Sequence, residues 1–188
     1  MEPRPTALLH HRSMLPVSRW LRGMGKLFCI FVMTPDKPII VLDARSEANI
    51  ATLVPKAQVA ARAFMVKVVP AMAACGVTVK IISGLRSYAE QDALYAQGRS
   101  VAGRIVTKAR GGYSNHNFGI AWDIGLFQAG RYLEDSPLYR RCAMIGEYDC
   151  GLDCGAFWEF TDEPHYQLRT GLTLAEMRNR LAIGQPVV

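Results

Sequence analysis

Two histidine-bearing stretches, far apart along the chain, constrain the fold more than any other feature. Residues 112–123 read Gly-Tyr-Ser-Asn-His-Asn-Phe-Gly-Ile-Ala-Trp-Asp and set His116 and Asp123 seven residues apart in a glycine-punctuated apolar segment. Much later, Asp162-Glu163-Pro164-His165-Tyr166-Gln167 carries a second histidine among acids and aromatics. A catalytic zinc site takes three protein ligands from His nitrogen and Asp or Glu oxygen and leaves a fourth position to water. His116, Asp123 and His165 supply such a set, and any fold that uses it must bring the two stretches together. Gly119 eases the close backbone approach that this requires.

The chain has 188 residues, half of them apolar, enough for one domain with a real core. Its formal charge of +6 is uneven, because residues 1–26 hold Arg4, Arg12, Arg19, Arg22 and Lys26 against Glu2. Such a tail reads as a short solvated extension rather than a nucleic-acid binder, and no nucleic-acid partner is expected. Residues 27–33 form an apolar run far below the roughly 20 residues that span a bilayer, and no small-residue cleavage site follows it. Five cysteines, at 29, 75, 142, 150 and 154, are odd in number and irregular in spacing. They do not make a disulfide framework, and Cys150 and Cys154 lack zinc-knuckle spacing; mostly reduced, buried thiols are expected, or one local disulfide after export.

Residues 1–40 are read as an N-terminal extension and 41–183 as the folded domain. Ser46, with Asn49 three residues on, is the expected N-cap of a helix whose apolar positions run from Ile50 to Met65. Pro55 bends that helix or divides it. Val77 to Ile82 is β-branched and short, hence a strand, and Ser83-Gly84 ends it so that Arg86 stands at its tip. Tyr88 to Gly98 reads as a helix, 99–112 as a loop, Ile120 to Ile124 as a strand, and Ser136-Pro137 as the start of a helix to about Tyr148. Phe157 to Leu168 looks strand-like, and Thr173 caps a last helix. With no regular βαβ rhythm, the expectation is α+β, helices packed on a small, mostly antiparallel sheet.

Hydrolysis also needs a base. In an extended segment side chains alternate, so Glu163 would share a face with His165 and Asp162 would not, unless a turn at Pro164 rotates it inward. Arg86, always charged and rich in donors, is a candidate to stabilise an oxyanion.

Ser114-x-His116-x-x-Gly119-x-Ala121-x-Asp123, Asp162-x-Pro164-His165-x-Gln167 and Ser83-Gly84-x-Arg86-Ser87 together resemble the zinc D-alanyl-D-alanine carboxypeptidase and L-alanyl-D-glutamate endopeptidase family of peptidoglycan peptidases. The wording from Gln91 to Arg99 and from Ala109 to Gly119 is similar to the phage endolysin branch that cleaves the L-alanyl-D-glutamate bond, the activity this resemblance implies. The resemblance implies a Hedgehog/DD-peptidase-like single domain, zinc (Zn2+) on His116, Asp123 and His165, and Asp162 rather than Glu163 as general base. It implies that Arg86 steadies the substrate carbonyl and that Ser114 helps hold the substrate. A peptidoglycan stem peptide is the implied substrate, met by a monomer made in the cytoplasm and acting on the cell wall. D-alanyl-D-alanine carboxypeptidase activity and an inactive wall-binding module are the alternatives. Where the family reads Gly-Leu-x-Trp-Gly-Gly, this chain has Gly151-Leu152-Asp153-Cys154-Gly155-Ala156, a departure expected to reshape the substrate cleft.

Overall fold

The structure is a computed structural model that describes residues 32–34 and 37–188. The basic tail and Cys29 lie outside the described residues, as does most of the 27–33 run. Two short strands, β1 (Val32–Thr34) and β2 (Lys37–Ile39), pair antiparallel ahead of the main body. Then follow α1 (Ala44–Ala51), α2 (Pro55–Ala73), β3 (Val77–Ser83), α3 (Tyr88–Ala96), β4 (Ala121–Gln128), β5 (Arg131–Tyr132), α4 (Leu138–Met144), β6 (Asp153–Cys154), β7 (His165–Gln167) and α5 (Leu174–Ala182). The main sheet runs β3-β4-β7-β6 with β5 on β4, every pair antiparallel, so the fold class is α+β.

Pro55 divides the predicted long helix, and it occupies the first turn of α2, where a missing N–H costs nothing. The cap of α1 is Asp43 rather than Ser46: its carboxylate accepts from the backbone N–H groups of Arg45 and Ser46. Ser46 lies inside the helix, wholly buried, because it has another task at the sheet edge. There Ser46 Oγ accepts from the Ile81 N–H at 3.0 Å, and Asn49 Nδ2 donates to the Ile81 carbonyl at 2.8 Å. The polar side of α1 thus stands in for a missing neighbour strand along β3.

β4 is longer than its sequence signal, and it turns into β5 through Ala129 and Gly130, both at positive φ as a tight hairpin demands. The stretch 157–168 is not a strand throughout. Residues 155–157 form one 3-10 turn, and only His165–Gln167 joins the sheet.

Alternation along the strands separates two faces. Ile81, Trp122, Ile124, Leu126, Cys154 and Tyr166 point into a core closed by Phe64, Met65 and Met72 of α2. Phe64 packs its ring 4.5 Å from that of Tyr166. On the opposite face, register aligns Ser83, Asp123 and His165 across three strands. That row is the floor of a cleft. No helix among the described residues is long and apolar enough to cross a membrane.

Candidate metal centre and cleft

Asp123 and His165 are direct cross-strand neighbours on β4 and β7, so pairing register alone brings them together. His116 arrives from a 3-10 turn, Asn115–Phe118, that ends at Gly119 with φ +66. Asn117 pins this turn: its Oδ1 accepts from the Gly112 N–H at 2.9 Å, and its Nδ2 donates to the Arg86 carbonyl at 2.9 Å. Arg86 returns a backbone N–H to the His116 carbonyl at 3.1 Å.

His116 Nε2 lies 3.1 Å from Asp123 Oδ1 and 3.2 Å from His165 Nδ1, and the last two atoms are 3.3 Å apart. Corners of a tetrahedron around zinc with bonds of about 2.0–2.1 Å would lie roughly 3.3–3.4 Å from one another. The triangle therefore has the size of one tetrahedral face. Its chemistry fits as well. His116 Nδ1 is 2.7 Å from the Gly84 carbonyl, which can only accept, so the ring proton sits there and Nε2 carries a lone pair. His165 Nε2 faces Gln167 Oε1 at 3.0 Å and donates to it, which leaves Nδ1 with a lone pair too. In the tautomers so set, three lone pairs converge. An added proton could serve one edge of the triangle; a metal cation serves all three corners.

Charge effects point the same way. Burial works to raise the pKa of Asp123, but the neighbouring histidines, His116 foremost, outweigh it and hold the carboxyl far below the usual range. Burial works to lower that of His165, and the Asp123 carboxylate overcomes it and raises the value. Both directions describe a cluster that attracts positive charge.

Arg86 lines the cleft, yet three of its donors are engaged. Nη2 donates to Asp123 Oδ2 at 2.9 Å, Nη1 to Gln91 Oε1 at 2.7 Å, and Nε to Ser83 Oγ at 3.4 Å. It thus holds the second oxygen of Asp123 and turns Oδ1 toward the histidines. One N–H on each terminal nitrogen remains for another acceptor. Gln91, wholly buried, ties this guanidinium to the 99–112 loop through the Ala109 carbonyl at 2.9 Å.

Asp162 and Glu163 are sorted by a turn. The His165 N–H donates to the Asp162 carbonyl at 3.1 Å, so residues 162–165 fold back instead of alternating. Asp162 borders the cleft and Glu163 does not. Gly155 allows this placement, since a Cβ there would collide with the Asp162 carbonyl. Though its side chain reaches solvent, desolvation by the cleft walls raises the Asp162 pKa, and the charge of Asp123 adds to it against the nearby cations.

The cleft encloses about 1140 Å3, with residues 105–109 on one side, 158–162 on the other, and Ser114 on its wall. Lys108 Nζ lies 3.9 Å from the Phe160 ring centroid and links the two sides. Cys154 does not border it. The thiol is fully buried on the core face of β6, where a Cβ on Gly146 would come within 2.8 Å of its sulfur. The expectation that this departure reshapes the cleft is thus corrected, because alternation sends Cys154 inward and Asp153 toward the site. Cys75, Cys142, Cys150 and Cys154 are all free thiols.

The sequence reading assigned no role to Gly84, Gln91, Asp153, Trp158 or Gln167, although Gly84, Gln91 and Gln167 stand in the stretches that carry the resemblance. The signal for Gln167 was present: two residues after His165 in a strand, it shares that residue's face. For Gly84, Gln91 and Asp153 the contacts span different elements, and no local spacing marks them.

A family model described as VanY, D-alanyl-D-alanine carboxypeptidase, matches residues 55–140, the segment that holds Arg86, Ser114, His116 and Asp123. The peptidoglycan L-alanyl-D-glutamate endopeptidase CwlK of Bacillus subtilis (strain 168) is 57% identical over 51 residues, which cover 27% of this chain and only 30% of that protein. Among solved structures, the Serratia marcescens L-Ala D-Glu endopeptidase ChiX aligns with TM-score 0.46 at 24% identity, over 68% of this chain and 89% of its own. A vancomycin-resistance D,D-pentapeptidase VanY, solved with Zn(II), aligns with TM-score 0.41 at 18% identity, over 72% and 81%. The chain is thus similar to the VanY family across the Arg86, His116 and Asp123 motifs, and it spans less than a third of the length of CwlK.

Proposed function

We propose that the protein is a zinc peptidase of peptidoglycan stem peptides that cuts the L-alanyl-D-glutamate bond, in the manner of a phage or prophage endolysin. The observation that carries this reading is the triangle of lone pairs on His116, Asp123 and His165, with edges of 3.1–3.3 Å. The identity to CwlK favours that bond. Residues 41–183 form the catalytic domain, and the substrate lies in the cell wall, outside the cytoplasm.

Zinc held by these three residues would supply Lewis acidity toward a scissile carbonyl and lower the pKa of water. Asp162 takes the proton of the attacking water and returns it to the departing amine as the C–N bond breaks. Desolvation raises its pKa, which favours holding that proton until it is passed on. The two free N–H groups of Arg86 stabilise the oxyanion, and Ser114 contacts the peptide from the cleft wall. A second reading, removal of terminal D-alanine, is favoured by the description of the family model. An inactive wall-binding module is disfavoured, because a vestigial site would be expected to have lost a ligand or the base.

Metal analysis of the wild-type chain beside His116→Ala tests the centre. Zinc in the first and not the second is expected; equal zinc sinks the ligand assignment. Mass spectrometry of digested peptidoglycan tests the bond. New N-terminal D-glutamate is expected, whereas released D-alanine would establish the second reading.

A further inference from the structure

Behind His165 runs a chain of hydrogen bonds that ends in a carboxylate. Trp158 Nε1 donates to Asp153 Oδ1 at 2.8 Å, and Gln167 Nε2 donates to Asp153 Oδ2 at 2.7 Å. Gln167 Oε1 then faces His165 Nε2 at 3.0 Å and also accepts from Asn115 Nδ2. The polarity is forced from one end. A carboxylate offers no proton, so Asp153 can only accept, and the amide of Gln167 must point its NH2 group toward it. Its carbonyl oxygen must then point at His165, which can meet it only with an N–H. The remaining nitrogen, Nδ1, is the one that faces Asp123 and His116.

We propose that Asp153 and Gln167 are positioning residues for the metal centre: they fix His165 as the tautomer whose Nδ1 lone pair enters the ligand triangle. Trp158 anchors the far end, since its indole N–H satisfies the other Asp153 oxygen and stops that carboxylate from rotating. The arrangement depends on the fold, because Asp153 and Gln167 are register partners on β6 and β7, on the face opposite Cys154 and Tyr166. Gly84 does the same for His116 through a backbone carbonyl, which no substitution can remove; His165 depends on side chains alone.

This inference rests on the reading of the cluster as a zinc site and is tested by zinc affinity, measured on the full chain by competition with a chromophoric chelator. Gln167→Met keeps the volume and removes all three hydrogen bonds, to His165, Asn115 and Asp153. It is expected to weaken zinc binding roughly 10- to 100-fold. The double change Asp153→Asn with Gln167→Glu keeps the net charge and reverses one bond, the new amide donating to the new carboxylate, which still accepts from His165. Affinity within a few-fold of wild type is expected. Gln167→Met binding zinc as tightly as wild type would overturn the proposal, and so would a double variant no tighter than Gln167→Met. Should either variant lose the native near-ultraviolet circular dichroism spectrum, Trp158→Phe decides, because it removes the indole N–H while keeping an aromatic ring beside His165: a few-fold loss supports the relay and unchanged affinity overturns it. Zinc uptake by the wild-type chain no greater than that of His116→Ala would refute the site itself, and the relay with it. A wild-type chain that binds zinc but leaves peptidoglycan uncut would overturn the proposed reaction, while the zinc affinities would still decide the relay.

Discussion

At the scale of single residues, Asp162 and Glu163 show how little a residue's neighbours in sequence decide about its direction. Both are acids next to Pro164, and only the turn closed by the His165 N–H separates a cleft residue from one outside it. Asp162→Ala is expected to lower kcat by about 10²- to 10⁴-fold with zinc content unchanged, the scale of a lost general base. Glu163→Ala should stay within about two-fold, comparable to other substitutions remote from the chemistry. Measuring zinc and turnover in the same preparations checks both. The pH dependence has a definite sign. A base works when deprotonated, so activity is present above its pKa and lost as pH falls through it. Because the cleft walls raise that of Asp162, the acid limb of kcat/KM should lie above the ordinary carboxylate range near 4. Asp162→Ala should lack that limb in whatever activity remains.

At the scale of elements, α1 is a helix that protects a strand edge. β3 ends the sheet, and its outward N–H and C=O groups at Ile81 are met by Ser46 and Asn49, with Arg45 Nη2 on the Ile82 carbonyl at 3.2 Å. Thr52 Oγ1 continues the series by accepting from the Leu85 N–H at 3.0 Å. Close approach of this helix is possible because residue 84 is glycine; a Cβ there would sit 2.5 Å from the Asn49 carbonyl oxygen. The same approach sets the Gly84 carbonyl against His116, so the docking of α1 reaches the candidate metal site. Ser46→Ala leaves the buried Ile81 N–H without a partner and is expected to destabilise the fold by about 1–3 kcal/mol. Urea unfolding of the two proteins at equal m-value measures it, and a difference below about 0.5 kcal/mol would contradict the edge-capping account.

At the scale of the whole molecule, the sheet divides labour between its faces, core on one and cleft floor on the other. The cleft face carries the candidate metal ligands His116, Asp123 and His165. Zinc at about 100 times its dissociation constant should therefore stabilise the native state by roughly 2.7 kcal/mol. For a chain of this size that is a rise in Tm of about 5–10 °C, reversed by a chelator and absent in His116→Ala. The core face buries its thiols. Burial pushes the Cys142 pKa up to about 12 and that of Cys154 further still. Thiol reagents at pH 8 should consequently leave both unlabelled until the protein is denatured, which peptide mapping after labelling can check.

The candidate ligands were legible in the sequence because a histidine and a carboxylate in a glycine-bearing motif, with a second histidine behind a proline, are local patterns of residue type. Secondary structure was legible where periodicity is long, as in α2 and β3, and failed where it is short, as in 157–168. What only the tertiary structure decided is how these pieces share protons. Whether Ser46 caps a helix or a sheet edge, which acid reaches the cleft, and whether Cys154 or Asp153 faces the site depend on pairing register and on turns closed by distant groups. Hydrogen-bond polarity is of that kind above all: the tautomer of His165 is set by Asp153, a residue no spacing rule connects to it, through contacts that exist only once β6 and β7 lie side by side.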